Sequence, residues 1–193
     1  MTVRLTLVLS VVLKLHTRQV DYILAFVQAE LKEDVYCEMP EGFSKAGCIL
    51  LFKKSVYGLR QSPLNWFKTL SAGLKDLGLL PSGIDQCLFI SPSVICVVYV
   101  DDCLLFSRDL NEIEKVVDSL GKKLDLGYED TDVAGFLGIQ LQKNENGTIE
   151  LKQTGLIDRI TATMGLDQAN GKHTPAEFRG LAKDGSMLWL SEC

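Results

Sequence analysis

Histidine is nearly missing from this 193-residue chain. The two present, His16 and His173, stand in no spacing that suggests a metal ligand or a catalytic base. The six cysteines include no C-x-x-C pair, which removes the usual spacing of a zinc site. Cys48, Cys87, Cys96 and Cys103 lie in apolar runs and are expected as small core residues, which fits a reducing compartment. There are only five prolines, no linker rich in Pro, Gly or Ser, and no internal repeat, so low-complexity classes are excluded. Positive charge is not in excess either. The formal net charge of -5 argues against a broadly basic, nucleic-acid-coating surface. It does not exclude a locally basic groove, and carboxylates that hold metal add to the acidic count. No apolar run is long enough to cross a bilayer. The nearest, residues 5–15 behind Arg4, lacks a small-residue cleavage site after it and predicts a buried helix feeding a strand.

What remains is globular composition, 47% hydrophobic and 23% charged, sufficient for one domain with a core. Residues 19–22 read as a short strand ending near Asp21, and residues 35–39 and 48–52 as two strands joined through Pro40, Glu41 and Gly42. Ser62-Pro63 opens a helix whose apolar face is Trp66, Phe67, Leu70, Leu74 and Leu77. Residues 94–107, VICVVYVDDCLLFS, predict a hairpin of two buried strands with Asp101 and Asp102 at its turn. Asp109 is placed to cap a following helix, with Glu112 completing a capping box, and Leu110, Ile113, Val117, Leu120 and Leu124 keep helical spacing. Residues 136–141 read as a strand, Asn146-Gly147 as a hairpin turn, residues 148–151 as the return, and 154–164 as a last helix. Beyond Gly165 the pattern is weak and the tail is expected to be loosely packed. The whole is α+β: an antiparallel sheet with helices on one face.

Adjacent aspartates at a hairpin tip have two readings. One is a solvated turn, since Asp favours turns. The other is a cation site, because carboxylates held close repel unless a cation intervenes. Asp21, at another strand end, would make a third carboxylate in an oxygen-rich site of the kind Mg²⁺ takes. Two such ions can clamp a phosphoryl transfer. Spacing alone leaves several palm-like enzymes open, including nucleotide cyclases.

The motifs narrow this. Tyr99-Val100-Asp101-Asp102 is the Y-V-D-D box of reverse transcriptases, and Asp21 followed five residues later by Phe26 resembles their first catalytic motif. SVYGLRQSPLNWF at residues 55–67 is similar to the S-L-Y-G-L-K-Q-A-P-x-x-W signature of the copia-type group, and VYCEMPEGF at 35–43 to its V-Y-M-x-x-P-x-G-F. Phe136-Leu137-Gly138 resembles the primer-grip motif, and Lys172-His173-Thr174-Pro175 the end of the domain. In this order, over residues 1–176, they resemble the reverse-transcriptase domain of copia-type retrotransposons.

That resemblance implies a polymerase palm, a ferredoxin-like antiparallel sheet with helices on one face, with partial fingers. Residues 1–176 would be a partial reverse-transcriptase domain and 177–193 a truncated tail. Asp21, Asp101 and Asp102 would be the catalytic carboxylates holding two Mg²⁺, or Mn²⁺, with the main-chain carbonyl of Tyr22 completing a shell. Asp21 and Asp101 would bridge both ions and Asp102 would be secondary. Phe26 would exclude a 2′-hydroxyl. Tyr57, Gly58 and Gln61 would border the incoming nucleotide and templating pair. Arg60 and Tyr99 would contact primer or template, and Phe136, Leu137 and Gly138 would position the primer end. The implied partners are an RNA or DNA template-primer, deoxynucleoside triphosphates and the rest of a retroelement polyprotein (fingers, RNase H, integrase), in a cytoplasmic particle and without a membrane. The family's fingers segment is expected ahead of residue 1, so the chain reads as N-terminally truncated. The alternative is an inactive remnant or nucleic-acid-binding fragment on the same sheet. A cyclase-like palm is disfavoured by the absence of a G-G-D-E-F-like turn.

Overall fold

The computed structural model describes residues 2–43, 47–130, 136, 139–144, 148–166 and 169. Helix α1 (Thr2–Val12) leads into β1 (His16–Tyr22), the short α2 (Ala25–Gln28), β2 (Tyr36–Glu38) and β3 (Ile49–Leu51). Then follow α3 (Ser62–Asp76), β4 (Leu80–Pro81), β5 (Leu88–Ile90), β6 (Val94–Tyr99), β7 (Asp102–Ser107), α4 (Leu110–Gly121) and β8 (Leu126–Asp130). The described elements end with β9 (Gln140–Lys143), β10 (Ile149–Lys152) and α5 (Thr154–Thr163). The chain divides into two compact units, Met1–Gln153 and Thr154–Cys193. Among the described residues no helix is long and apolar enough to cross a membrane.

The fold is α+β. Its centre is a six-stranded sheet in the order β4-β5-β6-β7-β1-β8, with every neighbouring pair antiparallel. The two smaller sheets pair β2 with β3 and β9 with β10. The unbroken apolar run of β6 and β7 has a direct cause: side chains alternate between faces, and both faces are covered. Val20, Tyr22, Cys96, Val98, Cys103 and Leu105 join Trp66, Leu70 and Leu74 of α3 and Ile113, Val117 and Leu120 of α4 in one cluster. Val97, Leu104 and Phe106 point the other way and meet Leu7, Leu15 and Phe136. The expectation of helices on one face is therefore corrected, since α1 lies on the second. α1 is also not the buried helix expected: Thr6, Leu7 and Ser10 face inward, while Leu5, Val8 and Val12 are exposed. Thr6 and Ser10 can face the interior because each hydroxyl bonds a carbonyl of its own helix.

Three local expectations shift. The hairpin turn is Val100-Asp101, because Tyr99 pairs with Asp102, so Asp102 already belongs to β7. Cys48 and Cys87 are exposed, whereas Cys96 and Cys103 are buried as expected. The strand expected from residue 136 begins at Gln140; Phe136 forms only an isolated bridge with Ile139. Leu137, Gly138 and the Asn146-Gly147 turn lie outside the described residues, as does most of the tail.

Asp109 does cap α4, its carboxylate accepting from Asn111 N–H at 3.0 Å. The capping box is not closed, however. The Asp109 N–H donates to Ser107 Oγ, and the Glu112 carboxylate takes Lys115 and Ser93 instead. Asp109→Ala is accordingly expected to cost about 1 kcal/mol in urea unfolding. Glu112→Ala is expected to cost clearly less. Equal losses would restore the box.

Candidate active site

Asp21 and Asp102 are direct cross-strand partners in the antiparallel β1·β7 pairing. Partners in register share a face. Val20 and Tyr22 face the α3–α4 cluster, so the alternation turns Asp21 and Gln19 to the opposite face, with Asp102 and Leu104. α1 covers that face around Leu104 and Phe106, while Asp21, Asp101 and Asp102 remain only half-buried. The sheet thus carries three carboxylates at one end of a face whose other end is filled by core.

The tip is held from below. Val100 adopts φ +54°, a left-handed conformation that is a true outlier for a β-branched residue and costs about 1–3 kcal/mol. The buried Trp66 indole donates to the Val100 carbonyl at 2.6 Å. Trp66 in turn stands edge-on to Tyr22, with ring centroids 5.1 Å apart. The residue after the first aspartate and the signature tryptophan of α3 therefore form one buried bracket under the turn that carries Asp101. Tyr22 offers this site only its main chain: its ring is core, and burial, with Cys103 and Cys96 beside it, pushes its phenol far above its ordinary pKa.

The rest of the site is arranged by backbone. After Asp21 the chain turns through Leu24 in the left-handed region (φ +48°) into α2, which presents Phe26. Residues 55–61 form a loop fixed at its base: Ser55 N–H donates to Ala29 O, Asn65 Nδ2 to Ser55 Oγ, and Ser62 Oγ to Val56 O. Gly58 sits there at φ +99°, a conformation open to glycine, with free space where a side chain would go. The loop brings the exposed Tyr57 onto Phe26, with ring centroids 4.6 Å apart. Gln61 is the N-cap residue of α3, and Arg60 and Tyr99 are exposed. Phe136 is not gathered with this group; it is a core residue of the second cluster.

Shared charge ties the group together. Burial raises the Asp21 pKa, and the charge of Asp101 raises it further, against a lowering backbone bond from Tyr22. Asp102 is raised by burial first; the Gln19 amide, donating to its Oδ1 at 3.2 Å, lowers it, and Asp101 and Asp21 raise it. Burial and then the charges of Asp101 and Asp21 raise the Tyr57 phenol. Gln19 was missed in the sequence, although its position two residues before Asp21 puts it on the same strand face. Gln28 was missed as well. Its amide donates to Ile23 O and Asp125 O and accepts from Asp125 N–H, fastening the turn after Asp21 to the start of β8.

Among the described residues no three His, Cys, Asp or Glu side chains form a ready-made ion cage. The donor set still fits Mg²⁺, which is held by one or two carboxylates with water and substrate phosphates supplying the other oxygens.

Comparison with known proteins identifies the family. A profile of the family described as reverse transcriptase (RNA-dependent DNA polymerase) matches residues 1–178. The Retrovirus-related Pol polyprotein from transposon TNT 1-94 of Nicotiana tabacum is 29% identical over 184 residues, 90% of this chain and 14% of that polyprotein. The Transposon Ty1-DR5 Gag-Pol polyprotein of Saccharomyces cerevisiae is 31% identical over 150 residues, 74% of this chain and 8% of that polyprotein. The chain belongs to the reverse transcriptase family, as a domain of the copia type. It spans a small fraction of the length of these curated relatives.

The raised carboxylates have a consequence for stability. A carboxyl whose folded pKa lies above its unfolded value binds its proton more readily when folded, so its ionisation destabilises the fold as pH rises through the folded pKa. Asp102→Asn is therefore expected to raise the urea midpoint relative to the parent at pH 7. The gap should close as pH falls below the ordinary carboxylate range. A gap independent of pH would show that repulsion and burial of the Asp102 charge are not its source.

Proposed function

We propose that this chain is the palm, with part of the fingers, of a copia-type reverse transcriptase, and that its chemistry is nucleotidyl transfer to a primer 3′-hydroxyl. In this reading residues 1–176 are the polymerase portion and 177–193 a tail. The observation that carries it is the register of β1 against β7, with Asp21 facing Asp102 and Asp101 at the adjoining tip. Asp21 and Asp101 are the principal ligands and Asp102 the secondary one, with the Tyr22 carbonyl as a further oxygen. Two divalent ions, Mg²⁺ or Mn²⁺, would supply activation of the primer hydroxyl and neutralisation of the charge on the triphosphate. The protein's part is orientation. The three carboxylates fix where the charge sits, and the strained Val100 turn holds Asp101 in place. Phe26, backed by the Tyr57 ring, bounds the sugar side of the incoming deoxynucleotide and leaves no room for a 2′-hydroxyl. Gly58 and Gln61 border the templating pair, Arg60 and Tyr99 reach the nucleic-acid backbone, and Leu137 and Gly138 steady the primer strand, while Phe136 anchors their segment in the core. Its partners are a template-primer, deoxynucleoside triphosphates and the remainder of a Pol polyprotein of the kind its relatives are, assembled in a cytoplasmic particle.

The alternative is a nucleic-acid-binding remnant without catalysis. The formal net charge of -5, unfavourable to a nucleic-acid-processing surface, favours it. Primer extension on an RNA template separates the two. The purified chain with Mg²⁺ or Mn²⁺ is expected to extend the primer, and Asp101→Ala to lower the rate on the order of a hundredfold or more. A folded chain that binds template-primer yet gives no extension supports the remnant.

The role of Phe26 has its own test. Phe26→Ala is expected to improve ribonucleotide use against deoxynucleotide use by about tenfold or more, because the discrimination is steric. An unchanged ratio would leave Phe26 as packing for Tyr57.

A further inference from the structure

We infer that Gly127 is a positioning residue for the Asp21 carboxylate, kept without a side chain so that this carboxylate can occupy its place in the acidic cluster. The inference rests on the reading of Asp21 as a metal ligand. β8 pairs with β1 through Gln19↔Asp130, Val20↔Glu129 and Tyr22↔Leu126, with a register shift between Val20 and Tyr22. Two β8 residues, Gly127 and Tyr128, therefore stand opposite the single Asp21. Irregularities of this kind re-aim side chains and recur beside active sites. Here the irregularity brings the β8 backbone against the aspartate: a Cβ on Gly127 would lie 3.1 Å from Asp21 Oδ2, 3.2 Å from Ile23 Cγ1 and 3.6 Å from Asp21 O.

Backbone conformation does not demand glycine at this position, in contrast to Gly58, because the φ of Gly127 is outside the left-handed region. The demand is for space. A methyl group at 3.1 Å requires something to yield by a few tenths of an ångström. β8 is the less able to do so. Two residues upstream, Asp125 is bound through both its N–H and its C=O to the Gln28 amide, and its carbonyl also takes the Ile23 N–H. The segment after Asp21 and the start of β8 are thereby fixed to each other. The carboxylate, a terminal group on two rotatable bonds, is what moves. It moves along the face it shares with Asp102, among the charges of Asp101 and Asp102 that already oppose it. The same methyl group removes backbone freedom from the unfolded chain, which favours folding. The two effects on stability and on metal binding therefore have opposite signs, which a purely structural glycine would not produce.

The test is a Mn²⁺ titration followed by EPR, with thermal unfolding alongside, for the full chain and for Gly127→Ala, Asp21→Asn and Gly83→Ala. Gly83 has open space where a Cβ would go and serves as the neutral control. The parent is expected to bind Mn²⁺ in an Asp21-dependent manner. Gly127→Ala should bind about tenfold more weakly, the scale of changes next to a metal ligand, with Tm unchanged or raised. Gly83→Ala should bind as the parent does. Binding by Gly127→Ala as tight as the parent's overturns the inference while leaving the metal site standing. A lowered Tm in Gly127→Ala also overturns it, since the loss would then belong to the strand. Mn²⁺ binding in the parent that ignores Asp21→Asn sinks the reading of the site, and the inference with it.

Discussion

The pairing of β1 with β7 sets the position of everything chemical in this domain. Six residues of each strand are matched, from His16↔Ser107 to Asp21↔Asp102, and the side-chain period of a strand is two. A slip of one residue would carry Asp21 or Asp102 to the opposite face and put Val20 or Cys103 where a carboxylate belongs. Such a slip is opposed by burial on both faces. Val20 and Cys103 are buried against α3 and α4, and Leu104 and Phe106 are buried on the side of α1. Fully burying side chains of this size stabilises by roughly 1.5–3 kcal/mol each, and a shifted register would misplace them all at once. The core therefore fixes the acidic site as a by-product of fixing itself.

A second constraint works at the hairpin tip. Two-residue turns need positive φ at one or both central positions, which usually selects Gly, Asn or Asp. Here the residue is Val100, and the surroundings have to hold it. The indole of Trp66 does this through a bond to the Val100 carbonyl, and α3 carries that indole from the other side of the sheet. This gives a tryptophan 34 positions from the turn a structural role in it. Its neighbours Ser62 and Asn65 likewise serve geometry, binding the loop that presents Tyr57 and Gly58.

What was legible in the sequence followed local rules. The unbroken apolar run of β6 and β7, the Pro-initiated α3 and the Asp109 cap depend on neighbours within a few residues, and each appeared where the pattern put it. The carboxylates could be named from motifs, but their mutual placement could not, since it depends on a pairing across some eighty positions. Four features escaped for related reasons. β5 and β8 are short and lack a clean alternation. The capping box failed because Ser107, a strand residue, reached the Asp109 N–H first. The inward Thr6 and Ser10 of α1 broke the rule that apolar faces turn inward; their hydroxyls are satisfied within the helix, so the rule did not bind. Gln19 and Gln28 act through contacts that no spacing rule ranks above surface glutamines.

The acidic cluster is also a place where folding and chemistry pull apart. Burial and repulsion raise two of its carboxylates, which means that the folded chain holds charge it would hold at less cost unfolded. The side-chain bond that acts against this is Gln19 to Asp102, a neutral amide. An arginine in that position would quench the repulsion better. It would also compete with any cation for the same oxygens and fill the half-open face with a guanidinium. A neutral donor orients one carboxylate oxygen and leaves the cluster's charge in place. The arrangement is thus one in which the protein orders the carboxylates without neutralising them, as the proposed cation site requires, with the stability withheld here supplied by the two apolar clusters on either side of the sheet.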